Sequence, residues 1–221
     1  SVIDMFTEET GITVKYANFT NTEEMYTKLT ANPGAYDVIV PSDYIIERMI
    51  ADDALLKLDP ALMPNIAGLC DWVKTPAYDP TGEYSVPYMW GTLGILYNTT
   101  MVDEPITHWA QLFDTKYANN VIMMDSYRDT LGLVLKMQGY SMNERSEEAL
   151  GEARDILIKQ KQDGIVKAYQ LDETKDKMIA GEAALAVVYS GDALYAMEGS
   201  EDLAYVVPME GSNIWLDGMC I

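Results

Sequence analysis

Apolar positions recur along the chain in two alternating rhythms, one helical at about 3.6 residues and one of period two, broken by Gly, Pro and Asn/Asp/Ser clusters. Residues 2–10 put Val2, Ile3, Met5 and Phe6 on one helical face and stop at Gly11, a suitable residue just past a helix end. Residues 12–16 alternate as a strand. Asn21, with Glu24 three residues on, opens a helix to about Thr30, closed by Asn32-Pro33-Gly34. Residues 37–40 read as a short buried strand, followed by Pro41-Ser42-Asp43 and a helix from Tyr44 to Ala51. Residues 55–83 are irregular, with Pro60, Pro64, Pro76 and Pro80. Residues 84–97 read as a long strand broken by Pro87 and Gly91.

The second half repeats the scheme. A short helix over 109–113, a buried strand over 121–124, a helix over 128–138 closed by Gly139, and a long amphipathic helix over 146–162 stopped by Gly164 come first. Strands over 166–169, 184–189, 203–207 and 214–221 follow, with helices after Asp172 and Ser190. Short apolar strands alternating with helices predict an α/β protein whose sheet is covered on both faces. The Pro-rich stretch and the long strand after it suggest two lobes, which a length of 221 residues accommodates. The chain contains no short-period repeat and no low-complexity segment.

Three of the predicted strands end in a small polar cluster at the start of a helix: Ser42-Asp43-Tyr44, Asp125 to Asp129, and Tyr189-Ser190-Gly191-Asp192. Ligands of open α/β sheets bind outside the carboxyl ends of strands, where these clusters fall. Ser and Asp before a helix are also ordinary N-caps, and capping alone accounts for any one cluster. Trp215 and Asp217 are harder to dismiss. At spacing two on a strand they share a face, and a carboxylate in an apolar strand needs a partner.

Charge narrows the chemistry. Asp and Glu total 35 against 15 Lys and Arg, a formal net charge of -20. Such a surface repels phosphate backbones and tolerates cations, so no nucleic-acid partner is expected. One histidine, His108, and two cysteines, Cys70 and Cys220, rule against a His/Cys zinc site, and no cofactor is expected. His108 reads as a surface residue in the first turn of a helix rather than as a catalytic base. The cysteines lie in no motif, and their spacing carries no geometry for a disulfide. Carboxylates with aromatic faces suit a cation that also has methylenes to bury: cation–π attraction contributes roughly 0.5–2 kcal/mol per ring and each buried CH2 about 0.8 kcal/mol. A linear di- or polyamine meets both demands. The helix N-termini are expected to keep Asp43, Asp129 and Asp192 ionised.

At these residues the chain resembles the spermidine/putrescine-binding proteins, the extracytoplasmic solute-binding receptors of polyamine ABC transporters. The resemblance runs over nearly the whole length, through FTEETGITVKY, EEMYTKL, GAYDVIVPSDYIIERM, YSVPYMWGTLGILYN, MDSYRDTLGLVLKMQGYSMN, VVYSGDAL and IWLDGMCI. It implies a two-lobed, type II periplasmic-binding-protein-like α/β fold. Lobe one covers 1–90, lobe two 91–216, and 217–221 is a second hinge crossing. It implies a polyamine, putrescine or spermidine, held between the lobes, a membrane permease as partner, no catalysis, and a place in the periplasm or on a lipid anchor outside the membrane. Carried over by motif, the ligand-binding residues are Ser42, Asp43, Tyr44, Asp129, Tyr189, Asp192, Trp215 and Asp217. Asp192 and Asp217 pair with ammonium groups, Tyr44, Tyr189 and Trp215 form an aromatic box, and Ser42 hydrogen-bonds an amine. Tyr189 stands where the family often has Trp, and Ser126 precedes Tyr127 and Arg128 where some members carry a second acid.

Other readings are a receptor for another small cationic solute or a metal ion, and a glycosidase using Asp192 and Asp217 as acid and base. The ends of the chain add an expectation of their own. The βα scheme wants a strand before the first helix, and Ile221 falls inside an apolar strand. The chain is therefore expected to be truncated at both ends, to lack part of lobe one, and as a fragment to self-associate.

Overall fold

The computed structural model describes all 221 residues. They divide into two compact units, Ser1–Met89 with Leu216–Ile221, and Trp90–Trp215.

The first unit contains helices α1 (Val2–Thr10), α2 (Thr22–Ala31), α3 (Asp43–Ala51) and the short α4 (Asp71–Lys74), with 3-10 turns at Pro60–Leu62 and Pro64–Gly68 between the last two. Its core gathers Met25 of α2, Ile45, Ile46 and Met49 of α3, and Ile39, Leu55, Tyr78 and Cys220. The returning segment is stitched in by its backbone. Ile39 and Cys220 exchange both amide hydrogen bonds, at 3.0 and 2.9 Å, and Gly218 N donates to Pro41 O at 3.1 Å. The irregular stretch is ordered by a buried carboxylate. Asp79 accepts from the backbone N–H of Tyr84 and Ser85 and from the Ser85 hydroxyl, at 2.9 to 3.0 Å, which offsets the cost of its burial.

Three expectations change here. Residues 12–16 form no strand, and Ile12, Val14 and Tyr16 are exposed. Alternation proposes a strand, but only a hydrogen-bonded neighbour makes one, and these residues have none. Residues 37–40 shrink to a single bridge, Ile39 to Cys220; Ile39 is buried while Val38 and Val40 on the other side face solvent. The apolar face of α1 is real in pattern, yet no residue of that helix is buried.

The second unit is built on a sheet. Strands β1 (Val86–Asn98), β2 (Val121–Met124), β3 (Val166–Gln170), β4 (Leu185–Tyr189) and β5 (Leu203–Val206) lie in the order β3-β2-β4-β1-β5, and β6 (Ile214–Met219) pairs with β1. The strand β2 runs parallel to β3 and β4, while β1 runs antiparallel to β4 and β5. The helices are α5 (Tyr127–Met137), α6 (Glu147–Gln162), α7 (Glu173–Ile179) and α8 (Ser190–Gly199), and Trp109–Phe113 is a 3-10 helix.

The period-two pattern sorts the strand residues onto two faces. Val121, Met123, Leu185 and Val187 pack with Leu133, Ala149 and Ala153 of α5 and α6 and with Trp109. Ile122, Ala186 and Val188 pack with Met178, Ala193 and Ala196 of α7 and α8. Each fully buried aliphatic side chain contributes about 1.5–3 kcal/mol, so both faces of the sheet need a helical layer. Gly91 and Pro87 do not interrupt β1, which runs unbroken for 13 residues. Pro87 is tolerated because it stands next to the first residue of the strand, where a missing N–H matters least.

Candidate functional site

The carboxyl ends of β2 and β4 lie at the same edge because the two strands are parallel. The middle of β1 lies there too, since Leu93 is opposite Tyr189. That topology gathers the second and third polar clusters and Trp215. Asp129 in the first turn of α5 is almost fully buried, 6% exposed. Its carboxylate accepts from the Ser126 hydroxyl at 2.8 Å, the Tyr189 hydroxyl at 2.7 Å and, more weakly, the Asn213 amide at 3.4 Å. Ser126 also accepts from Asp129 N at 3.3 Å, so it is a true N-cap. The Tyr189 and Trp215 rings meet edge to face, with centroids 5.5 Å apart and planes at 70°. No Lys or Arg forms an ion pair with Asp129.

Asp192 is not brought to this group. Tyr189 points to the sheet face that carries α5, whereas α8 lies on the face shared with α7. The electrostatic neighbours of Asp192 are Lys175 and Asp172, and burial pushes its carboxyl above the ordinary aspartate value. Desolvation is the largest cause of that rise, ahead of the opposing attraction of Lys175.

In the first unit the polar residues gather where the returning segment lies beside the start of α3. Ser42 and Asp217 face each other across an antiparallel bridge. The Ser42 hydroxyl donates to Asp217 Oδ1 at 2.8 Å and is 3.2 Å from Thr22 Oγ1. Ser42 occupies the N-cap position of α3 but makes no side-chain cap bond; its hydroxyl serves Asp217 instead. Burial pushes the Asp217 carboxyl up, the Ser42 bond pulls it back, and the negative Asp43 adds to the rise. Asp43 accepts from the backbone N–H of Tyr44 at 2.7 Å and of Leu216 at 3.4 Å. Tyr44 donates its hydroxyl to Glu23 Oε1 at 2.6 Å.

Thr22, Glu23 and Asn213 thus join the two groups without having been singled out in sequence. Glu23 and Thr22 read only as first-turn residues of a helix, and their role depends on α2 lying beside α3. The groups contain no set of three His, Cys, Asp or Glu able to hold a metal ion. Cys70 is exposed and Cys220 buried, and both are free thiols, with burial holding Cys220 up at about 12. His108 starts the 3-10 helix Trp109–Phe113 and lies 3.4 Å from Glu210. No helix is long and apolar enough to cross a membrane.

What these groups can do is bind positive charge. They supply a buried carboxylate, a desolvated carboxyl with a hydroxyl partner, and a pair of aromatic rings, with no arginine fork of the kind a carboxylate or phosphate ligand requires.

The family of bacterial extracellular solute-binding proteins matches the chain over residues 1–221. The spermidine/putrescine-binding periplasmic protein of Salmonella typhimurium is 33% identical over 222 residues, which is 100% of this chain and 63% of that protein. Among solved structures, the spermidine/putrescine ABC transporter substrate-binding protein PotD of Streptococcus pneumoniae is 41% identical at a TM-score of 0.81, covering 100% of this chain and 68% of that one. The Treponema pallidum lipoprotein Tp0655 (TpPotD) is 26% identical at a TM-score of 0.91, covering 100% and 70%. The chain therefore spans somewhat less than two thirds of the curated relative's length.

Proposed function

The chain belongs to the bacterial extracellular solute-binding proteins, and on that premise we propose that it acts as the substrate-binding receptor of an ABC importer whose ligand is a polyamine, putrescine or spermidine. It works outside the cytoplasmic membrane, in a periplasm or on a lipid anchor, and hands its ligand to a membrane permease. No chemical step is assigned to it.

The observation that carries this reading is the carboxylate Asp129, buried without a countercharge beside the edge-to-face rings of Tyr189 and Trp215. Its hydrogen-bond donors are all neutral groups, and an ammonium group is a partner whose charge and donors fit a carboxylate. The rings accept the same ammonium on their faces and the adjoining methylenes on their edges. Asp217 offers a second carboxyl of the same kind, held by Ser42. The proposed recognition set is Ser42, Tyr44, Asp129, Tyr189, Trp215 and Asp217, with Asp43 ordering the backbone of Tyr44 and Leu216. Asp192 stands outside it because Lys175 is already beside it.

Isothermal titration of the protein with putrescine, spermidine and spermine, at neutral pH and low salt, tests the reading. Saturable heat with at least one of them is expected. No heat and no thermal shift with any of the three overturns it.

A further inference from the structure

We propose that Gly91 is the positioning residue for the Trp215 indole, its missing side chain being the seat on which the ring lies. The inference rests on the reading of Trp215 as a wall of a polyamine site, and it extends that site to a residue that touches no ligand.

Gly91 is buried in β1, and its φ lies outside the left-handed region, so the backbone alone does not require glycine there. Space does. A Cβ at this position stands 2.5 Å from Trp215 Cζ2, 3.0 Å from Trp215 Cε2 and 2.8 Å from Ser190 Oγ. Carbon atoms pack best at about 3.5–4.0 Å, so the ring has to leave its place when a methyl arrives. The Ser190 hydroxyl gives way only by losing the hydrogen bond it accepts from Thr92 N at 3.1 Å.

Gly94, three residues on, shows the contrast. A Cβ there strikes the Val206 carbonyl at 2.5 Å as well as the Tyr205 ring, so the neighbouring strand itself demands that glycine. At Gly91 the three nearest obstacles are all side-chain atoms, and the nearest belongs to Trp215. The indole also meets the Tyr189 ring edge to face, and that tyrosine is tied to Asp129 through its hydroxyl. The indole thus touches both the bare backbone of β1 and an anchored tyrosine. A methyl group at position 91 therefore alters recognition without removing any group that contacts the ligand.

The test uses Gly91→Ala, Trp215→Ala and the double variant. Each is titrated with spermidine and putrescine, and the near-ultraviolet circular dichroism of Trp215 is isolated by subtracting the spectrum of the matching Trp215→Phe chain. Gly91→Ala is expected to weaken binding about tenfold or more, roughly 1.4 kcal/mol, and to change the Trp215 signal in the unliganded protein. On the Trp215→Ala background the same change is expected to cost about twofold or less, since non-additivity marks residues that act through each other. An equal loss on both backgrounds, or an unchanged Trp215 signal, overturns the proposal. If the unsubstituted protein binds no polyamine, or Trp215→Ala leaves no measurable binding, the circular dichroism signal decides. A Gly91→Ala chain that fails to fold while the double variant folds supports the seat; failure of both to fold overturns it.

Discussion

Tyr189 donates its hydroxyl to the carboxylate of Asp129 over 2.7 Å, joining the end of β4 to the first turn of α5 across 60 positions of sequence. The bond fixes a ring and a charge at once. The carboxylate is buried and the phenol oxygen is its shortest contact, so the two residues form one unit of structure as well as one candidate element of recognition.

Tyr189→Phe removes that donor and keeps the ring. A hydrogen bond to a charged group contributes about 1.5–3 kcal/mol, and the carboxylate left behind stays buried. Urea unfolding of the unliganded protein is expected to show a loss of that order, while the Trp215 ring contact persists. Unchanged stability would mean that water takes the place of the phenol.

Trp215→Ala is expected to weaken polyamine binding by about tenfold or more, since both cation–π attraction and apolar contact go. Glu152→Gln, on the solvent side of α6, serves as the control and is expected to leave affinity unchanged. Equal effects of the two substitutions would mean that Trp215 forms no wall of the site.

Asp217 carries the pH dependence. Its carboxyl titrates above the ordinary value of 3.8 in the folded protein, mainly through burial. A raised acid holds its proton in the folded state after the unfolded chain has lost it, so stability falls as pH rises through the folded value. Asp217→Asn is therefore expected to melt higher than the native chain at neutral pH and level with it in acid, while binding polyamine more weakly. Melting curves from acid to neutral pH check this; an Asn variant that melts lower at neutral pH overturns it.

Ligand affinity runs the other way with pH, because an ammonium favours the ionised carboxyl. Binding is expected to decline on acidification beginning above pH 3.8. Ser42→Ala removes the bond that holds Asp217 down, so the decline is expected to begin at a higher pH than in the native protein. Titration calorimetry at several pH values compares the two, and coincident profiles would show that Ser42 does not act through Asp217.

Hydrophobic rhythm alone located most elements of the protein. The long helix ending at Gln162, the buried run Val121–Met124 and the strand ending at Tyr189 stand where the periodicity puts them, because burial of one face or two is written in every third or second residue. The α/β class follows from their alternation. Residues 12–16 and 37–40 were legible only as candidates, since a strand exists through its neighbour and the pattern contains no record of which neighbour comes.

The candidate site divides in the same way. Acids and aromatics after strands marked where to look, but Asp129 and Asp192 are equivalent by that criterion. Tertiary structure separates them: β4 sends Tyr189 toward the face covered by α5, and α8 carries Asp192 to the opposite layer beside Lys175. Ser42 could be read as a cap, and only the bridge to Asp217 shows its hydroxyl turned elsewhere. Gly91 looked like a break in a strand, and it is the approach of the Trp215 ring that makes a glycine necessary there. Local chemistry and periodicity are properties of neighbours along the chain and can be read from the sequence. Which face a strand turns to which helix, and which ring fills the space above a glycine, depend on contacts between residues far apart along it, and those only the folded structure decides.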